Sequence, residues 1–169
     1  MSVAVGEVLP VRVEGIPREL RARPQWVLWR LEERDGKPTK VPYSPRTGAR
    51  AKSTDLMTWG TFEEAFEAYE AGDCVGVGFV FCSADPFTGV DLDDCRNPET
   101  GELEPWAAKI VTALDSYTEL SPSGTGVHII CKARIPRGGR RGRVEMYAQD
   151  RFFTITGHTI DVIAEAEAR

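Results

Sequence analysis

Gly89-Val90-Asp91-Leu92-Asp93-Asp94 is the stretch on which the reading of this chain turns. Two carboxylates alternate with two branched apolar residues. In an extended strand that period sends Val90 and Leu92 to one face, and Asp91 and Asp93 to the other. Packing alone gives no reason to hold two acids side by side on one sheet face. A divalent cation does, because Mg²⁺ and Mn²⁺ take oxygen ligands from one or two carboxylates and complete their shells with substrate phosphates. Asp94 adds a further acid whose side chain points away from this pair.

The 169 residues suit one domain with a single hydrophobic core. Hydrophobic residues at 41% and charged residues at 28% are ordinary for a globular protein. No apolar run is long enough to span a membrane, and the first residues lack the regions of a signal peptide, so a cytoplasmic location is expected. Cys74, Cys82, Cys95 and Cys131 are too widely spaced for a zinc site, and Cys82 and Cys131 read as small core residues. The net charge of −5 argues against a protein coated in nucleic acid. Charge is nevertheless uneven: Lys132, Arg134, Arg137, Arg140, Arg141 and Arg143 crowd into a run interrupted by Pro136 and three glycines. That run reads either as a solvated hairpin tip or as a cationic loop that meets a polyanion.

Residues 1–15 are weakly patterned and read as a loose arm. Pro17 opens a short helical turn, and residues 25–32 (QWVLWRLE) alternate as a strand. Asp35-Gly36-Lys37-Pro38 reads as a turn leading to a second strand at 39–43, followed by a loop over 44–58. Thr61 caps a helix to Ala71 with Glu64 in capping-box position, and Phe62, Ala65, Phe66 and Tyr69 form its apolar stripe. Residues 75–81 form a buried strand, the turn at Asp85-Pro86 leads into the acidic strand, and Pro105 opens another helix. Further strands are expected at 117–120, 127–133, 143–147 and 151–156, then a helical tail at 161–169, cut from a longer chain. The sum is an α+β sheet domain over 16–160.

Two later strands repeat the anomaly of the acidic one. His128 lies opposite the Val127, Ile129 and Cys131 face, and Glu145 opposite Val144 and Met146. If the three strands are neighbours, Asp91, Asp93, His128 and Glu145 converge. Three carboxylates could then hold two divalent ions roughly 3.5–4 Å apart, the arrangement that aligns a 3′-oxygen with a nucleotide α-phosphate. Before His128, Ser121-Pro122-Ser123-Gly124-Thr125-Gly126 permits a tight loop that aims N–H groups and hydroxyls at an anion. No Gly-Lys-Ser/Thr follows, so it is not a Walker A loop; Gly76-Val77-Gly78 lacks the third glycine of a dinucleotide fingerprint.

In this order, Val90-Asp91-Leu92-Asp93, Ser123-Gly124-Thr125-Gly126-Val127-His128 and Val144-Glu145-Met146-Tyr147 resemble the three motifs of the archaeo-eukaryotic primase superfamily. More narrowly, the chain resembles the primase–polymerase (Prim-Pol) domains of phage and plasmid replication proteins. Supporting stretches are 25–29, 36–43, Ser53-Thr54-Asp55 with Thr58-Trp59, and 151–157. The resemblance implies an RRM-like mixed or antiparallel catalytic sheet with flanking helices, beside a smaller N-terminal αβ unit. It implies template-directed nucleotidyl transfer by a DNA primase/polymerase with two Mg²⁺ or Mn²⁺ ions, on a single-stranded DNA template with a primer strand and a dNTP or NTP. A helicase in the same parent chain is compatible with that setting. By the same resemblance Asp91, Asp93 and Glu145 match the metal ligands, and Ser123, Gly124, Thr125 and His128 match contacts to the incoming nucleotide. Lys40 and Arg151 are further candidates for phosphate or template, and the 132–143 run for DNA.

Two other readings stand beside it. A non-catalytic DNA- or nucleotide-binding module of a replication initiator would bind DNA without responding to Mn²⁺. A metal-dependent phosphohydrolase would use the same Asp-x-Asp to cleave a simple phosphate ester.

Overall fold

The structure, a computed structural model, describes residues 7–72 and 74–160. In chain order the first elements are α1 (Arg18–Arg21), β1 (Trp26–Arg34), β2 (Lys37–Tyr43), α2 (Phe62–Glu70), β3 (Gly76–Phe81) and β4 (Thr88–Leu92). Then come α3 (Pro105–Leu114), β5 (Tyr117–Leu120), β6 (Val127–Cys131), β7 (Gly139–Arg141), β8 (Val144–Tyr147) and β9 (Arg151–Ile155). The strands form two sheets, β2-β1-β3-β9 and β5-β6-β4-β8-β7, in which every neighbouring pair is antiparallel. The α+β expectation is met. Among the described residues no helix is long and apolar enough to cross a membrane.

Local chemistry explains the elements and where the sequence reading departs from them. Asp35 and Gly36, at φ 51° and 75°, make a two-residue hairpin turn, so Arg34 faces Lys37 and the strand begins before the expected Thr39. Pro38 is tolerated there because β2 is an edge strand. Thr61 and Glu64 form the expected capping box on α2, and the Arg46 guanidinium with the Thr61 N–H holds the Glu64 carboxyl down to about 2. The basic run is not a bare loop: β7 pairs with β8 across Gly142, at φ 61°.

The described part of the N-terminal arm is docked rather than loose. Leu9 N–H donates to Pro122 O at 2.9 Å, Arg12 N–H to Thr156 O at 2.8 Å and Val11 N–H to the Tyr69 hydroxyl at 3.1 Å. Gly157 permits this docking, since a Cβ there would lie 2.0 Å from Arg12 O. The expected tail helix lies outside the described residues. The first sheet is completed by β9, so the αβ unit expected from the N-terminal half borrows its edge from the other end of the chain.

Three apolar clusters hold the sheets. Trp26, Phe62, Ala65, Val77 and Phe79 pack α2 on one face of the first sheet, while Val27, Val80, Ala51 and Trp59 cover the other. Val90, Leu92, Val127 and Ile129 pack against Ala107 and Val111 of α3 behind the second sheet. These are the residues the two-residue period of β4 and β6 turns away from the acids. The front of the second sheet meets the first at Gly89, where a Cβ would come within 2.5 Å of Phe153 and 2.6 Å of Phe81. One residue pair further along β4, the aromatic contact ends and the charged row begins.

The β3–β4 turn has its own polar anchor. Buried Asp85 accepts from Gln25 Nε2 and Cys82 N–H, each at 2.9 Å, and from Phe87 N–H at 2.8 Å. Arg134 closes the turn by donating to the carbonyls of Cys82, Asp85, Phe87 and Ala148.

Because the sheets touch at Gly89, G89A should destabilise the protein by about 1–3 kcal/mol through overpacking. Urea unfolding followed by tryptophan fluorescence measures it, and an unchanged midpoint contradicts the contact.

Candidate active site

Strand register lines up one charged row across the second sheet. Glu119 faces His128, His128 faces Asp91, Asp91 faces Glu145 and Glu145 faces Arg140, each pair directly opposite and so on the same side. Asp93 follows two residues after Asp91, just beyond the strand, where its N–H still donates to Arg143 O at 2.9 Å. The row thus comes from β5, β6, β4, β8 and β7 in spatial order.

Asp91, Asp93 and Glu145 each offer an oxygen, and these lie within 4.8 Å of one another. Three carboxylates are a hard-oxygen donor set of the kind that suits Mg²⁺ or Mn²⁺. Burial pushes the Asp91 carboxyl above its ordinary range; His128 and Lys40 pull it down, while Asp93 and Glu145 push it further up. A cation would relieve that strain, so the residues present fit the ion. Among the described residues, Arg140 Nη2 stands 3.7 Å from Asp93 and His128 Nε2 3.6 Å from Asp91, the latter a counter-charge only when its ring is protonated.

Neighbours on the same face orient the row. Tyr147 donates its hydroxyl to Glu145 Oε1 at 3.1 Å, and the His128 Nδ1 lies 3.2 Å from Glu119 Oε2. Glu119 is fully buried and also accepts from the Tyr117 hydroxyl at 2.7 Å and from the N–H groups of Thr156 and Gly157. In front of the row is a cavity of about 370 Å³, lined by Lys40, Asp91, His128, Glu145, Tyr147 and residues 151–154. Lys40 and Arg151 therefore share a cavity with the acids, and the Arg151 guanidinium lies over the Tyr147 ring. Thr154 Oγ1 is buried without a hydrogen-bond partner at the same wall.

Ser123, Gly124 and Thr125 do not line that cavity. Their loop sits beside the end of β4, with Thr125 O accepting from Cys95 and Arg96 N–H and Gly124 O from the Arg96 guanidinium at 2.9 Å. The basic run also divides. Lys132 pairs with Glu19 at 2.6 Å, Arg134 is committed to the β3–β4 turn, and Arg143 pairs with Glu104 while lying over Trp106. Of the six basic residues, Arg134 is the one committed to a turn, while Arg137, Arg140 and Arg141 are exposed on or beside β7, with Arg140 also near Asp93. Cys95 is buried, which raises its thiol to about 11, in keeping with a packing role.

Sequence reading missed Glu119, Tyr147 and Thr154. Glu119 carried a signal, since alternation in Tyr117-Thr118-Glu119-Leu120 places it beside Tyr117 on one face, an acid inside a four-residue strand. Nothing in the sequence announced that the Thr154 hydroxyl would be left alone.

No protein-family model matches the sequence. The chain is similar to a protein of Nitratiruptor phage NrS-1 named DNA primase-polymerase, with 36% identity over 144 residues, which cover 81% of this chain and 20% of the phage protein. The chain thus spans about a fifth of that relative's length.

The raised Asp91 pKa fixes the sign of a stability test. A carboxyl whose folded pKa lies above its unfolded value opposes folding once ionised; the cost is absent below the ordinary carboxylate range and complete above the raised pKa. In the absence of divalent cations, D91N should melt above the wild type at pH 7, and the gap should close as the pH falls into the carboxylate range. Scanning calorimetry across pH reads this out, and a D91N protein that melts lower at pH 7 contradicts it.

Proposed function

We propose that this chain is a primase–polymerase domain, as 36% identity to the phage protein over 81% of its own length supports, and that its acidic row catalyses template-directed nucleotidyl transfer in DNA synthesis. The 3′-hydroxyl of a primer strand attacks the α-phosphate of an incoming nucleotide, forming a phosphodiester bond and releasing pyrophosphate. The observation that carries this reading is the register Glu145–Asp91–His128, which sets two acids and an imidazole side by side with Asp93 next in line.

Asp91, Asp93 and Glu145 would hold the divalent ions. Bound there, Mg²⁺ or Mn²⁺ supplies acidity to the attacking hydroxyl and charge neutralisation to the leaving pyrophosphate. The chain's own groups do the rest. Tyr147 holds Glu145 in orientation through its hydroxyl. His128 turns Nε2 toward the cavity, where Lys40 and Arg151 add positive charge for the triphosphate. Ser123, Gly124 and Thr125, beside the end of β4 but outside the cavity lining, would add hydroxyl and backbone contacts to the nucleotide. Arg137, Arg140 and Arg141 grip phosphates of a single-stranded template, with salt-sensitive affinity.

The order β5-β6-β4-β8, with α3 crossing between the parallel strands β4 and β5, supports an RRM-like reading of the catalytic sheet. The relative's name supports placing the domain in a phage or plasmid replication protein. A phosphohydrolase needs neither a template-binding strand nor the cations beside it.

Primer extension tests the reading. With Mn²⁺, a primed single-stranded template and dNTPs, the wild type should add nucleotides, and D91A/D93A should add none while keeping its circular dichroism spectrum. Extension by the double variant contradicts the assignment.

A further inference from the structure

We propose that Glu119 is a positioning residue for the incoming nucleotide: it takes the Nδ1–H of His128 and thereby turns Nε2 toward Asp91 and the cavity. The nucleotide half of this proposal rests on the nucleotidyl-transfer reading, whereas the ring geometry stands on the contacts alone.

A carboxylate with no exposed surface is costly unless its lone pairs are all used, and those of Glu119 are. The Thr156 N–H donates to Oε2 at 3.0 Å and the Gly157 N–H to Oε1 at 3.1 Å. Both belong to the segment leaving β9 in the other sheet, so the carboxylate is held by backbone. Tyr117 adds its hydroxyl at 2.7 Å. Burial and the adjacent Glu119 charge push that hydroxyl far above its ordinary pKa, which keeps it a donor.

A carboxylate is an acceptor only, so the ring nitrogen 3.2 Å from Glu119 Oε2 carries a hydrogen, and Nε2 meets the anions of the cavity as a donor when the ring holds a second one. The two imidazole nitrogens are distinct, and the bond made by one decides what the other presents. With Nδ1 fixed, Nε2 lies 3.6 Å from Asp91 Oδ1 at the cavity wall. Phe153 packs against the ring with centroids 5.4 Å apart and resists its rotation. A purely structural role would not require this pair: two buried apolar residues at 119 and 128 would fill the same space without desolvating a charge.

The test uses the whole chain, first without metal or nucleotide. Nitrogen-15 correlation spectra of His128 should show a protonated, slowly exchanging Nδ1 in the wild type. In E119Q the amide faces the ring as a donor, and Nδ1 should lose its proton. In extension assays with Mn²⁺ and dNTP, E119Q should raise KM for the nucleotide about tenfold with a smaller change in kcat, the scale typical of residues that orient a ligand. In an H128A background, E119Q should add nothing, because Glu119 acts through the ring. An unprotonated Nδ1 in the wild type, or effects of E119Q and H128A that multiply, overturns the proposal. If E119Q does not fold, the wild-type nitrogen spectrum decides alone. Failure of the nucleotidyl-transfer reading shows separately, as extension retained by D91A/D93A.

Discussion

The mutual repulsion of Asp91, Asp93 and Glu145, whose oxygens converge within 4.8 Å, is the interaction around which the structure is arranged. At that separation, with an effective dielectric of about 20, a pair of like charges costs roughly 3–4 kcal/mol, and more where the oxygens lie closer. Arg140, 3.7 Å from Asp93, answers that charge in part, and His128, 3.6 Å from Asp91, adds to it when its ring is protonated. Isolated strands would slip or splay to relieve it. Here β4 is hydrogen-bonded on both sides, to β6 and to β8, and a slip of one residue would turn Val90 and Leu92 out of the core.

The rest of the fold bears on that register. Behind the sheet, α3 fixes the apolar face of β4 through Ala107 and Val111. In front, the absence of a side chain at Gly89 lets Phe81 and Phe153 press the two sheets together immediately before the charged row. At the start of β4, Asp85 and Arg134 lock the incoming turn to four carbonyls and a glutamine. Each device holds a strained cluster in place, and stability given up at the acids is recovered in the surrounding packing. The same economy explains why the row is bounded by tyrosines: Tyr117 and Tyr147, one residue pair away, orient Glu119 and Glu145 at two positions of the row.

Much of this was legible from the chain alone, and the reason is the two-residue period. Wherever a strand is buried on one face, a polar residue out of phase with its neighbours stands out, and Asp91, His128 and Glu145 were each found in that way. The capping box at Thr61 and Glu64 was equally plain, because its chemistry is local. What escaped depends on contacts distant in sequence. Arg134 reads as one more cation in a basic run until the turn at Asp85 is folded against it, 49 residues away. The N-terminal arm shows no periodicity, yet three backbone hydrogen bonds dock it, one to a tyrosine hydroxyl. Glu119 showed only as an acid inside a short strand, because its backbone partners, Thr156 and Gly157, lie in the other sheet's closing segment.

The geometry of the row underlies the proposal's central claim, that cations join the acids. Anomalous diffraction at the manganese edge, from crystals grown with Mn²⁺ and a nonhydrolysable nucleoside triphosphate, tests it most directly. The account predicts manganese peaks between Asp91, Asp93 and Glu145, with the triphosphate reaching His128. Manganese bound elsewhere, or carboxylates that stay unmetallated at saturating Mn²⁺, would contradict it.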